Sequence, residues 1–154
     1  MPLPNDPQLI ELTDMNFFLV HGLLDESICE GYGFIQKTID DWNSGANRFS
    51  GEGEKLWGLV SGADLIGIGG LNRDPYIEES NVGRVRHLYI REIYRRKGYA
   101  TLLMNMIIDQ ALQHFAILRL FTENPAAAEF YEAFGFQKIE GYKVSHGLIF
   151  CAPK

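Results

Sequence analysis

The chain has only two cysteines, Cys29 and Cys151, far apart and in no metal-binding or redox spacing. A disulfide-rich scaffold is therefore excluded, and a reduced, cytoplasmic protein is expected, with a single disulfide as the alternative. No 18-residue apolar run free of charge occurs, so no membrane-spanning helix and no membrane partner are expected. The first residues, Met1-Pro2-Leu3-Pro4-Asn5-Asp6, carry neither a basic start nor an apolar stretch, so no export signal is expected. Basic residues are in deficit: 14 Lys and Arg stand against 20 Asp and Glu, for a net charge of −6. That balance argues against a general nucleic-acid binder. Repeats, low-complexity tracts and linkers are also lacking.

What is present is apolar and aromatic: 46% hydrophobic and 12% aromatic residues in 154. This excludes disorder and suits one domain, residues 1–154, burying about two-thirds of its unfolded surface. Charge is unevenly spread. Residues 1–80 carry 4 basic and 14 acidic side chains, residues 81–154 carry 10 basic and 6 acidic. Such a chain could hold a cation on one side and an anion on the other, or simply scatter solvated charge.

Residues 8–21 mix apolar positions with Thr13-Asp14, a possible helix N-cap, and read as a helix. Residues 25–42 read as further helix, broken near Gly31-Tyr32-Gly33, and 42–54 as a loop. Leu56–Val60 and Leu65–Gly70 flank Ser61–Asp64 and predict a hairpin with a four-residue turn. Residues 72–81 are a polar, acidic loop, and Val82–Ile90 returns to strand. Ala100, Leu103, Met104, Ile107, Ile108 and Ala111 form a helical stripe. Leu118–Thr122 is a short strand. Asn124-Pro125 supplies an N-cap and a first-turn proline for a helix whose apolar face is Ala127, Phe130, Tyr131 and Phe134. Gly135 sits where a helix-terminating glycine belongs. Phe136–Ile139 and Leu148–Cys151 are the last strands. The pattern predicts an α/β (α+β) domain on a mixed sheet.

The chemistry-bearing segment is Leu88-Tyr89-Ile90-Arg91-Glu92-Ile93-Tyr94-Arg95-Arg96-Lys97-Gly98-Tyr99-Ala100. A strand ends, a basic turn follows, and a glycine opens an amphipathic helix. Unpaired N–H groups, the positive helix end and three successive cations suit a phosphate or pyrophosphate, or form a solvated basic turn. A P-loop is excluded by the missing Gly-Lys-Ser/Thr. Gly67-Ile68-Gly69-Gly70 lies inside a strand with no helix following, so a dinucleotide fingerprint is excluded too.

Arg95-Arg96-Lys97-Gly98-Tyr99-Ala100 resembles the pyrophosphate loop, Gln/Arg-x-x-Gly-x-Gly/Ala, of the GNAT superfamily of acyl-CoA-dependent N-acyltransferases. Asn124-Pro125-Ala126-Ala127-Ala128-Glu129-Phe130-Tyr131-Glu132-Ala133-Phe134-Gly135-Phe136 resembles that family's second block, at the expected distance downstream. The resemblance spans about residues 55–140 and implies a central, mostly antiparallel sheet flanked by helices, with splayed parallel strands in its middle. These would be Val82–Ile90 and Leu118–Thr122. Acetyl-CoA would be the co-substrate, with no metal, and its pantetheine arm would pair with the backbone of Leu88, Tyr89 and Ile90 as a pseudo-strand. Arg95, Arg96, Lys97, Gly98, Tyr99, Ala100 and Thr101 would hold the pyrophosphate. Asn124 would touch the cofactor arm, and Tyr131 would protonate the departing thiolate. Two positions depart from the family's habit: Glu92 stands where proline is common, Arg96 where glycine is.

The implied reaction is direct attack of an amine on the thioester, with backbone N–H groups of the splayed strand stabilising the oxyanion. Freeing a lysine-like amine at neutral pH costs about 4 kcal/mol, which calls for a base; His87 is the candidate, with Asp74, Glu78 and Glu79 as others. The expected acceptor is a small cationic amine drawn to Asp25, Glu26, Glu30, Asp40, Asp41, Asp74, Glu78 and Glu79. A protein or peptide amine, and a non-catalytic acyl-CoA sensor, are the alternatives. A homodimer is a further expectation, carried over from many relatives.

Overall fold

Across the middle strands, side chains divide between two apolar layers, one on each face of the sheet. The computed structural model describes residues 7–150. β1 (Gln8–Glu11) leads through a 3₁₀ turn (Phe17–Leu23) to α1 (Leu24–Cys29) and α2 (Phe34–Ser44). β2 (Lys55–Ser61), β3 (Asp64–Arg73) and β4 (Val82–Ile90) follow, then α3 (Tyr99–His114), β5 (Ile117–Leu120), α4 (Pro125–Glu132), β6 (Gln137–Lys138) and β7 (His146–Ile149). The seven strands lie in the order β1-β2-β3-β4-β5-β7-β6. Every neighbouring pair is antiparallel except β4 and β5.

One face packs Leu59, Ile66, Leu71, Val85 and Leu118 against Leu103, Met104 and Ile107 of α3 and Tyr131 of α4. The other packs Leu56, Leu65, Ile68 and Tyr89 against Val20, Leu23, Ile35 and Ile39. The apolar stripe read for α3 supplies its buried residues, Leu103, Met104, Ile107 and Ala111. Asn124 caps α4 as its residue type predicts: Oδ1 accepts from the N–H groups of Ala126 (2.9 Å) and Ala127 (3.2 Å), with Pro125 in the first turn.

Several boundaries differ from the sequence reading; β3 runs on to Arg73 and α2 to Ser44, each into a segment read as loop, and β6 keeps only Gln137–Lys138 of the expected Phe136–Ile139. Residues 8–11 are an edge strand on β2, not helix, and the turn that follows starts after Asn16 rather than Thr13-Asp14. A four-residue edge strand carries too few side chains to show a period. The hairpin turn is two residues, Gly62-Ala63, because Ser61 and Asp64 already pair. β5 stops at Leu120, before the expected Thr122. The last strand begins earlier, at His146, and Cys151 lies outside the described residues.

β4 and β5 are in register only at Val82 with Ile117, Gly83 with Leu118 and Arg84 with Arg119. Beyond this, β5 keeps to β7: Leu120 pairs with His146, the Ser145 N–H donates to Leu120 O (2.9 Å), and the Thr122 N–H donates to Ser145 Oγ (3.0 Å). β4 keeps to β3, with a bulge. Gly70 pairs with Arg86 and Ile68 with Tyr89, so His87 and Leu88 together oppose Gly69, and His87 takes φ +58°. Glycine on β3 permits this approach, since a Cβ at Gly67 would stand 2.6 Å from Ile90 Cδ1 and 3.1 Å from the Tyr89 carbonyl.

Where the parallel pair begins, Asp74 lies fully buried, 3.4 Å from Arg84 Nη1 and 3.7 Å from Arg119 Nε. Its Oδ1 also accepts from the Tyr76 N–H at 2.8 Å. Asp74→Ala would leave the buried Arg84 and the partly buried Arg119 without a counter-charge, and should lower unfolding free energy by about 3–5 kcal/mol in urea titration. A loss comparable to that of a surface substitution would contradict this account of the sheet's centre.

Candidate active site

The parting of β4 from β5 opens a groove of about 980 Å³. One wall is β4 from Arg84 to Ile90, the other is Leu120–Asn124 with α4, and Gly31–Phe34 crosses from the helical face. Among the predicted residues, His87, Leu88, Tyr89, Ile90, Arg95, Ala100, Asn124 and Tyr131 line it. Arg96, Lys97, Gly98, Tyr99 and Thr101 do not; they form the turn and first helical residues beside Arg95 and Ala100.

That turn is built for backbone donors. Arg96 (φ +63°) and Gly98 (φ +86°) are both left-handed, and Gly98 stands at the N-cap of α3, which has no side-chain cap. The first helical N–H groups therefore remain open, as an anion site requires. The left-handed backbone at Arg96 also explains why glycine suits the position elsewhere in the family motif. Arg95, in contrast, is engaged within the protein. Nη1 and Nη2 each lie 2.7 Å from a Glu30 carboxylate oxygen, and Nε donates to Ile90 O at 2.8 Å. The bidentate bond to Arg95 holds the Glu30 carboxyl below its ordinary range. Arg95 thus ties the turn to α1, while exposed Arg96 and Lys97 keep the free charge.

Tyr89 lines the groove but commits its hydroxyl to the carboxylates of α1 and its C-terminal end. Its hydroxyl lies 3.0 Å from Glu26 Oε2 and in short contact with Glu30 Oε1, and burial with those two carboxylates raises its pKa. Glu26 also receives the Glu92 N–H at 3.0 Å and stands 3.4 Å from Arg91 Nε. Sequence reasoning missed this bracing role of Glu26 and Glu30; no local pattern links them to residues sixty positions away.

Tyr131 is 9% exposed, and its hydroxyl has no hydrogen-bond partner among the described residues. Burial alone raises its pKa, so the phenol stays protonated at neutral pH. Asn124 commits Oδ1 to the helix cap, which leaves Nδ2 as its available donor.

His87 is weaker as a base than its residue type suggests. Burial, then the neighbouring Arg86, Lys37 and Arg84, lower its pKa from 6.5 to about 3. The ring stacks on Phe34 at 6.1 Å. The other candidate bases, Asp74, Glu78 and Glu79, do not line the groove. Nor does any carboxylate expected to draw a cationic acceptor: Asp25, Glu26, Glu30, Asp40, Asp41, Asp74, Glu78 and Glu79 all stand elsewhere. Several are neutralised, Glu26 by Arg91, Glu30 by Arg95, Asp41 by Lys37 and Asp74 by Arg84.

With a groove between splayed parallel strands and an open helix N-terminus at its end, the comparisons with known proteins agree. The model of the acetyltransferase (GNAT) family matches residues 20–136. The chain belongs to that family and is an acyltransferase. A solved structure from Exiguobacterium sp. 255-15, described as an acetyltransferase, is 26% identical with a TM-score of 0.80, covering 94% of this chain and 93% of that one. A GNAT-family acetyltransferase from Streptococcus pneumoniae (17% identity, TM-score 0.68, 94% and 100% covered) shares the fold. So does a GCN5-related N-acetyltransferase from Kribbella flavida (16%, 0.69, 94% and 97%).

The depressed His87 pKa has a thermodynamic consequence. Below pH 6.5 the unfolded chain takes up a proton at this ring that the folded chain refuses until about pH 3. Stability should fall as pH drops through that window, by about 1.4 kcal/mol per unit from this group. Between pH 7 and 5 the wild type should lose about 2 kcal/mol more than His87→Gln in urea unfolding. Equal losses in the two proteins would show that the ring titrates normally.

Proposed function

We propose that this acyltransferase moves an acetyl group from acetyl-CoA to the primary amine of a small molecule, by direct attack within a ternary complex. The reading rests on one coincidence. A strand edge and a buried phenol that have no partner among the described residues line a single groove, and an uncapped helix N-terminus stands at its end. Acetyl-CoA, when bound, supplies an acyl group activated as a thioester.

The chain's own residues supply the rest. The β4 edge over Val85–Ile90 offers backbone N–H and C=O groups that would otherwise go unpaired, as an amide-bearing chain requires. The N–H groups at Gly98–Thr101, with Arg96 and Lys97, suit the pyrophosphate. Asn124 Nδ2 can donate to an amide carbonyl while Oδ1 keeps α4 capped. Tyr131 holds its proton at Oη throughout the neutral range and can pass it to sulfur as the carbon–sulfur bond breaks. His87 presents a neutral ring. A base with pKa about 3 lies about seven units below an alkylammonium, so it can accept a hydrogen bond from the amine but cannot store its proton. Deprotonation then falls to solvent.

Saturating acetyl-CoA, at a hundredfold over Kd, should add about 2.7 kcal/mol of stability, a melting shift of several degrees. ATP and NAD should give less. Tyr131→Phe should keep the shift and lose about a hundredfold or more in kcat for amine-dependent thiol release. A variant with unchanged kcat would remove Tyr131 from the chemistry, and no shift with any coenzyme A species would remove the reading itself.

A further inference from the structure

The turn beside Arg95 and Ala100 occupies one end of the groove, and the proposed cofactor would enter there. The opposite end, where β4 is still close to β5, is where an acceptor must sit. The charges at that end are Arg84 and Arg86 on β4 and, on the facing wall, the exposed Glu123 beside Asn124.

Arg84 and Arg119 already share Asp74, two guanidiniums for one buried carboxylate, so this part of the sheet carries excess positive charge before Arg86 is counted. Arg84 is held rigidly, with its Nη2 also donating to the Lys143 carbonyl. Arg86 differs. It is partly buried, and its side chain makes no ion pair or hydrogen bond among the described residues. It lines both the groove and an adjoining cavity of about 580 Å³, whose carboxylates are engaged elsewhere: Asp41 by Lys37, Glu54 by the N–H groups of Gly51 and Arg73, and Asp74 by Arg84. A partly buried guanidinium fork with no partner is a ready receptor for a carboxylate, because its five donors match two oxygens in one plane. The field at His87 agrees with this geometry: the charges acting on it are Arg86, Lys37 and Arg84, with no carboxylate opposing them. The acidic side chains of the first half, which would have favoured a cationic acceptor, lie outside the groove.

We infer that the acceptor amine also carries a carboxylate, and that Arg86, backed by Arg84, receives it. This inference rests on the acetyl-transfer reading above and sets the acceptor's chemical class. Arg86 is a specificity determinant here. It fixes where the amine lies relative to the β4 edge and takes no part in proton transfer.

The test uses matched pairs of small amines, each an amino acid beside its own carboxamide, with acetyl-CoA and the full-length protein. The amide has the more readily deprotonated amine, so nucleophile supply favours the amide and any preference for the acid must come from the carboxylate. The free acid should be favoured in kcat/KM by about tenfold or more. Arg86→Gln should bring the acid-to-amide ratio close to one, and Arg86→Lys should retain part of it; both should keep the melting shift with acetyl-CoA. Preference for amides or diamines, or a ratio unmoved by Arg86→Gln, overturns the inference. Acetyl-CoA binding without turnover of any acid overturns it as well and leaves the acetyl-transfer reading standing. Absence of acetyl-CoA binding brings down both.

Discussion

Two parallel strands share three registered residues, and then each keeps a different neighbour. From Val85 onward β4 has no partner on its β5 side among the described residues, although backbone donors and acceptors in a sheet interior are among the groups most reliably paired in proteins. This unmet pairing organises the molecule. β7 draws β5 away through the Ser145 hydroxyl and backbone, and a Ser145–His146–Glu132 chain of contacts, 2.9 and 2.8 Å, secures α4 on the same wall. On the other side the bulge at His87 and Leu88 increases the local twist of β4. The groove is the space that these two commitments leave.

Charge placement follows the same division. Part of the acidic first half serves structure: Glu26 and Glu30 fasten α1 to the turn after β4, and Asp74 anchors the start of the parallel pair. The basic second half is only partly matched. Arg95 and Arg84 are paired, whereas Arg86 and the exposed Arg96 and Lys97 leave cationic groups at opposite ends of the groove. A linear count of charges could not distinguish these uses, because the pairs that fasten Glu26 and Glu30 to Arg91 and Arg95 span about 65 residues of sequence.

Local signals were legible. The apolar stripe of α3, the Asn124-Pro125 start of α4 and the strand Val82–Ile90 could be read from residue type and spacing, and the parting of the two parallel strands followed from the family motifs. The edge strand Gln8–Glu11 was not, because its half-buried Leu9 and Ile10 are adjacent rather than alternating. The site was legible only in part. Motif spacing located the turn and Tyr131, but nothing in the sequence shows that Arg95 would bind Glu30 or that burial would strip His87 of its basicity. Both depend on which long-range neighbours the fold supplies, and so does the isolation of Arg86.

The central claim is that the unpaired edge of β4 is the backbone partner of the acyl-CoA arm. Hydrogen exchange of the backbone amides, with and without saturating acetyl-CoA, tests it directly. The account predicts new protection concentrated in Val85–Ile90 and in Gly98–Thr101, with little change in β1, β2 and α2. Exchange in those two segments unchanged by acetyl-CoA, with protection appearing elsewhere, would contradict it.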